Sequence, residues 1–222
     1  MDRQLFLSEL AAAISDQRLA HPVRVAIDGV DGVGKTTIAD ELAEPVRKLG
    51  REVIRASIDG FHNPRQRRYV RGADSPEGYF LDSFDYEALE GELLRPLGPN
   101  GDRRYRGTVF DYRIDSAVVS ASQDAVPDAV LLFDGVFLLR PELLSHWDLK
   151  IWVDAPFDVT VERAVQRDSA RNGKLEELRK MYQRRYVPGQ RIYLERCQPK
   201  QRADIVVNNI DISSPELEFR NA

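Results

Sequence analysis

Residues 23–37 read VRVAIDGVDGVGKTT, and their interpretation decides the fold. Val23 to Asp28 is a short apolar run closed by an acid, the pattern of a buried strand. Gly29, Val30, Asp31, Gly32, Val33, Gly34, Lys35, Thr36 and Thr37 then spell G-x-x-x-x-G-K-T. Thr36 to Leu49 carries helical periodicity. Strand, glycine loop and helix in that order form the setting in which such a loop binds phosphate. Glycines let backbone N–H groups turn inward around an anion. The first helical turn adds unpaired donors and a partial positive charge. Lys35 can reach the β- and γ-phosphates of a nucleotide, and the Thr36 hydroxyl can ligate Mg²⁺.

Bulk composition narrows the alternatives. The chain has 222 residues, 42% apolar and 31% charged, as expected for one α/β domain with at most a small appended lid. A net charge of −4 provides no global basic field to recruit nucleic acid. The single cysteine, Cys197, permits no internal disulfide and no cysteine metal cluster. No apolar run approaches the length of a membrane span. The first 16 residues carry acids and lack a signal-peptide core. The expectation is a cytoplasmic protein without membrane or nucleic-acid partners.

Working outward, residues 2–18 place Leu5, Phe6, Leu10, Ala13 and Ile14 at helical spacing. His21-Pro22 ends that connection, with His21 a loop residue. Glu52 to Ser57 predicts a second strand with Asp59 and His62 at its C-terminal end, the edge where open α/β sheets bind ligands. Asn63 to Glu77 is polar and rich in Arg and Pro, so it predicts a mobile loop. Its RQRRYVR could alternatively meet an anionic substrate or stack on nucleic acid through Tyr69. Asp85 to Leu97 predicts a helix stopped by Pro96 and Gly98, and residues 103–112 a short extended segment. Val130 to Gly135 (VLLFDG) predicts a buried parallel strand whose Asp134 faces the phosphate loop and can hold Mg²⁺ directly or through water. Leu149 to Asp154 predicts a further strand, Val159 to Arg167 a helix, and Leu175 to Arg185 another. Ile205 to Val207 is the last predicted strand, followed by Asn208-Asn209. Cys197 has no neighbouring His or Cys and reads as structural.

Lys35, Asp59, Asp134 and the Arg163–Arg171 segment therefore gather at strand ends. Phosphoryl transfer needs in-line positioning and neutralised charge. It also needs a carboxylate that can take the proton of an acceptor hydroxyl, and Asp59 is placed for this. An outer partner of Mg²⁺ is the other role open to Asp59.

In order along residues 22–209, these segments resemble the uridine kinase and phosphoribulokinase group of P-loop kinases. IDGVDGVGKTT resembles that group's phosphate loop. SIDGFH resembles its Asp-x-Phe motif, which implies a catalytic base at Asp59. GYFLDSFDYEAL resembles its Phe-Asp-x-Pro segment, which implies a ribose-binding role for Asp82. VLLFDGVF resembles the Mg²⁺-side strand, usually closed by Glu, so Asp134 takes that place with a shorter arm. VERAVQRDSARNGK resembles the lid, with Arg167 and Arg171 at arginine positions. QPKQRADIVVNN resembles the segment before the last strand.

The resemblance implies the P-loop NTPase fold: α/β, with a doubly wound parallel sheet, helices on both faces and a small arginine-containing lid near residues 167–190 of a single 1–222 domain. It implies ATP with Mg²⁺ and a small-molecule acceptor, and its members' frequent homo-oligomers make self-association an expectation. Uridine–cytidine kinases carry a base-reading histidine after a Tyr-Asp-Phe stretch. Here Asp115 stands there, with Phe110-Asp111-Tyr112 before it, and Tyr112 is the candidate acceptor contact. Met181 replaces a lid-helix glutamine, and Ala164 and Lys174 replace lid arginines. These departures weaken uridine in particular and leave other acceptors open: nicotinamide riboside, pantothenate, a sugar or a sugar phosphate. Nucleotide binding without phosphotransfer is a further alternative. A regulatory GTPase lacks support, since the sequence has no guanine-reading Asn-Lys-x-Asp.

Overall fold

The computed structural model describes residues 1–170 and 174–220. Its centre is β1 (Val23–Gly29), buried along its whole length. It is flanked by β3 (Val130–Gly135) and β4 (Leu149–Asp154), both parallel to it. β2 (Val53–Ser57) adds outside β3, and β5 (Ile205–Asn208) outside β4. β6 (Glu216–Phe219) pairs antiparallel with β5 at the edge. The sheet order is β6-β5-β4-β1-β3-β2. Strand order reverses at β1, so the cleft over its C-terminal end is where such sheets take ligands.

Helices cover both faces of this mostly parallel sheet. α1 (Arg3–Ser15) starts at Asp2, whose carboxylate caps the Gln4 and Leu5 amides. It buries Phe6, Leu10, Ala11 and Ile14 against α2 (Lys35–Lys48). Leu5, expected on that apolar face, is exposed instead. α2 follows the glycine loop and packs on β2 and β3 through Ile38, Leu42 and Val46. α3 (Pro76–Asp82) crosses the later α6 (Val187–Cys197), which packs over the other side of the sheet through Tyr193. Full burial of a Leu or Ile contributes roughly 1.5–3 kcal/mol, and this core contains many.

Four expectations need correction. Residues 63–77 are not all loop: Arg65–Arg68 forms one helical turn and Pro76 begins α3, with Ser75 as its cap. The helix expected over 85–97 is a turn of α-helix, Tyr86–Leu89, that widens into a π-turn at Glu90–Leu94 containing Gly91. α4 (Phe157–Ser169) is longer than expected. α5 (Leu175–Met181) does not stop at Arg185; it passes through a π-turn, Tyr182–Tyr186, into α6. Pro188 accounts for this, since it lacks an N–H for the Arg184 carbonyl and its ring crowds that carbonyl, so the helix widens one turn earlier. No helix among the described residues is long and apolar enough to cross a membrane.

Candidate active site

The glycine loop connects β1 to α2 beneath α4. Gly32 (φ +75°) and Gly34 (φ +100°) take left-handed conformations that side chains resist. Space is also tight: a Cβ on Gly32 would lie 2.1 Å from the Thr160 carbonyl oxygen. The Asn209 amide after β5 donates to the Val33 carbonyl at 2.7 Å, tying the loop to the neighbouring strand end. Arg163 on α4 donates to the carbonyls of Asn209 (2.9 Å) and Ile210 (2.6 Å). Lys35 is buried and its ammonium donates to the Val30 carbonyl at 2.8 Å. Burial draws its pKa below the ordinary lysine value, while Asp31, Asp28 and Asp134 oppose that shift.

Asp134 ends β3 as expected, and the Thr36 hydroxyl donates to its carboxylate at 2.5 Å. Its other oxygen accepts from Arg55 on β2 at 2.9 Å, and Arg55 also binds Asp40 at 2.8 Å. The sequence reading missed Arg55. Its signal was the alternation within β2, where Ile54 and Ala56 are buried and Arg55 faces the other way. A hydroxyl and a carboxylate side by side are hard oxygen donors of the kind Mg²⁺ takes beside nucleotide phosphates, so these residues fit that ion.

Asp59 lies in a 3₁₀ turn, Ile58–Phe61, directly after β2. It is accessible along the cleft but crowded by protein. Desolvation, then the like charges of Asp31 and Asp134, push its carboxyl up to about 6 against the pull of Lys35 and Arg167. The His62 ring stacks between Phe84 and Tyr112, with both centroids at 4.6 Å. Desolvation lowers its pKa to about 4, so the ring is neutral near pH 7. His62 Nδ1 lies 3.0 Å from the Asp59 carbonyl oxygen, so its ring links Tyr112 to the Asp59 turn. Asp82 is engaged elsewhere, by Arg71 at 2.9 Å. Asp115 accepts from the Arg65 backbone N–H (2.8 Å) and the Arg68 guanidinium (3.0 Å). Its carboxylate therefore braces the arginine turn.

Arg167, near the end of α4, is half-exposed and pairs with Asp168 at 2.8 Å; Tyr182 shares Asp168 at 2.8 Å. Arg171 lies outside the described residues. Beneath the loop, fully buried Asp28 accepts from Gly29 N–H (2.7 Å), Leu139 N–H (2.9 Å) and the Tyr193 hydroxyl (2.5 Å). Desolvation still pushes it up to about 6. Nothing in the local sequence marked Asp28 as more than a strand end.

The description of the cytidylate kinase-like family matches residues 24–211. The chain belongs to that family. It is a uridine kinase-like P-loop kinase, an ATP-dependent enzyme of small molecules. It is 27% identical over 194 residues to a uridine kinase of Ligilactobacillus salivarius, covering 84% of each chain. It is 27% identical to uridine-cytidine kinase B of Dictyostelium discoideum, over 84% of this chain and 74% of that one. The structure of a possible uridine kinase from Bacillus stearothermophilus superposes with a TM-score of 0.73 at 24% identity, covering 93% of this kinase and 99% of its counterpart. That last likeness concerns the fold.

Proposed function

We propose that this kinase transfers the γ-phosphoryl group of ATP, with Mg²⁺, to a hydroxyl of a small metabolite, and that the acceptor is a ribonucleoside such as uridine or cytidine. The observation that carries the reading is the placement of Asp59 in the turn directly after β2, within the electrostatic reach of Lys35 and Arg167. In this reading Gly29 to Thr37 cradle the triphosphate. Lys35 and the lid arginines Arg167 and Arg171 neutralise charge on the transferring group. Thr36 and Asp134 would hold Mg²⁺, which when bound would neutralise charge on the phosphate groups.

Asp59 accepts the proton of the acceptor hydroxyl as that oxygen bonds to the γ-phosphorus and the bond to ADP breaks. Its elevated pKa suits it to receive that proton near neutral pH while staying mostly ionised. Tyr112 and neutral His62 offer an aromatic wall for the acceptor. Asp82 meets the acceptor's hydroxyls by sharing or releasing Arg71. Residues 1–222 act as one domain, with the lid near 167–190.

One observation favours a second reading, a kinase of another small acceptor. Asp115 Oδ1 is held by the Arg65 N–H and the Arg68 guanidinium, and a carboxylate at this position only accepts hydrogen bonds where a base-reading histidine can also donate. The test is acceptor-dependent ADP release with Mg-ATP across uridine, cytidine, nicotinamide riboside, pantothenate, ribulose 5-phosphate and fructose. Turnover with uridine or cytidine supports the first reading. Turnover only with another member supports the second. Binding of ATP with no turnover across the panel would count against both and favour a non-catalytic nucleotide-binding protein.

A further inference from the structure

The phosphate loop itself contains an acid. Asp31 stands among backbone donors suited to an anion, where a carboxylate repels phosphate. Its side chain is drawn away by two donors: one oxygen, Oδ2, accepts from the Tyr79 hydroxyl at 2.9 Å and from the Gln190 amide at 2.7 Å. Both donors are buried. Tyr79 belongs to α3, the helix that ends in Asp82, and Gln190 belongs to α6. These helices meet closely at Gly189, where a Cβ would lie 2.8 Å from both the Pro76 carbonyl oxygen and the Tyr79 ring. The pair of donors is therefore held rigidly.

The second oxygen, Oδ1, has no hydrogen-bond partner among the described residues. Tyr79 lies three residues before Asp82 on α3, so Asp31 is tied to the helix that carries the acid proposed to meet the acceptor; of the charges around Asp59, that of Asp31 also bears on it most strongly. Burial and the Asp31 charge also keep Tyr79 protonated, and hence a donor. Lys35 and Arg167 are the cations that bear on these acids, and the proposed chemistry commits both to the triphosphate, while Arg68 pairs with Asp115 and Arg71 with Asp82.

We propose that Asp31 binds the acceptor, its Oδ1 accepting a hydrogen bond from an acceptor hydroxyl next to the one phosphorylated, and that its charge selects uncharged polyhydroxylated acceptors over phosphorylated ones. This rests on the kinase reading above. It assigns a loop position that the motif leaves unspecified to the acceptor half of the cleft.

The test measures KM for ATP and for the acceptor separately in wild type, Asp31→Asn and Asp31→Glu, with thermal melting of each. The panel pairs neutral acceptors (uridine, cytidine, fructose) with anionic ones (cytidine monophosphate, ribulose 5-phosphate). Asp31→Asn keeps the shape and an oxygen for Tyr79 and Gln190. The acceptor KM should rise about 10- to 100-fold, the range for a lost hydrogen bond to a charged group. The ATP KM should stay within about threefold. The preference for neutral over phosphorylated acceptors should narrow in Asp31→Asn and be retained in Asp31→Glu. Equal rises in both KM values, with a lowered melting temperature, would reduce Asp31 to a structural brace and overturn the proposal. Wild-type preference for phosphorylated acceptors would overturn it too. Wild-type silence with every acceptor would instead sink the kinase reading on which it rests.

Discussion

The two halves of the cleft are built in opposite ways. The donor half is nearly one stretch of chain: Gly29 to Thr37 supply the loop, its lysine and its hydroxyl. Among the described residues, Asp134 and Asn209 arrive from other strand ends, and α4 adds the Thr160 backbone against Gly32 and the proposed lid arginine Arg167. The proposed acceptor half is assembled from Asp59 and His62 after β2, Tyr79 and Asp82 on α3, Tyr112 and Asp115 from a hairpin, and Gln190 on α6. A local half works wherever its strand and helix are in place. A dispersed half depends on how helices cross and which ion pairs hold its loops. The donor half should thus be shared widely within the family, and the acceptor half should carry what is particular to this kinase.

The strongest way to break that contrast is at its local end. Lys35→Ala leaves γ-phosphate charge uncompensated and should lower kcat/KM by about 10³-fold or more. Steady-state kinetics would show it, and near-normal turnover would remove the loop from the chemistry. A smaller effect is expected across the cleft. Asp82→Ala should raise the acceptor KM about 10-fold or more while the ATP KM changes little; equal changes would mean that the halves are not separable there. Smaller still over the physiological range is the pH dependence. A base whose pKa is raised to about 6 works only when ionised. kcat/KM should therefore level off above pH 6 and fall about tenfold per unit below it. A flat profile down to pH 5 would place the proton acceptor elsewhere.

The same contrast explains what could be read from the sequence. The glycine loop, its strand and its helix were legible because their residues are contiguous and their spacing is dictated by phosphate geometry. Four of the five parallel strands were legible because burial on both faces leaves apolar runs, and β2 because Ile54 and Ala56 alternate with less buried residues. β6 was not, since Glu216–Phe219 is a short, largely exposed edge strand with little apolar signature. α6 was missed because Pro188-Gly189 ordinarily marks a break, whereas here a π-turn absorbs the proline and the glycine admits α3. Asp59 and Asp134 were legible as acids closing strands. The partners were not: Arg55, which holds Asp134, and Tyr79 and Gln190, which hold Asp31, are distant in sequence from those acids. Asp115 was recognised as a departure from a base-reading histidine, but only the fold shows that it braces Arg65 and Arg68.

The most direct measurement of the central claim compares wild type with Asp59→Asn. Each would be given Mg-ATP and the acceptor that supports turnover, with ADP and phosphorylated product quantified together and ATP affinity measured by calorimetry. Loss of about 10²–10⁴ in kcat with ATP affinity retained is the result expected of a base that acts on the acceptor. Unchanged product formation in Asp59→Asn, or an equal loss of ATP binding, would contradict it.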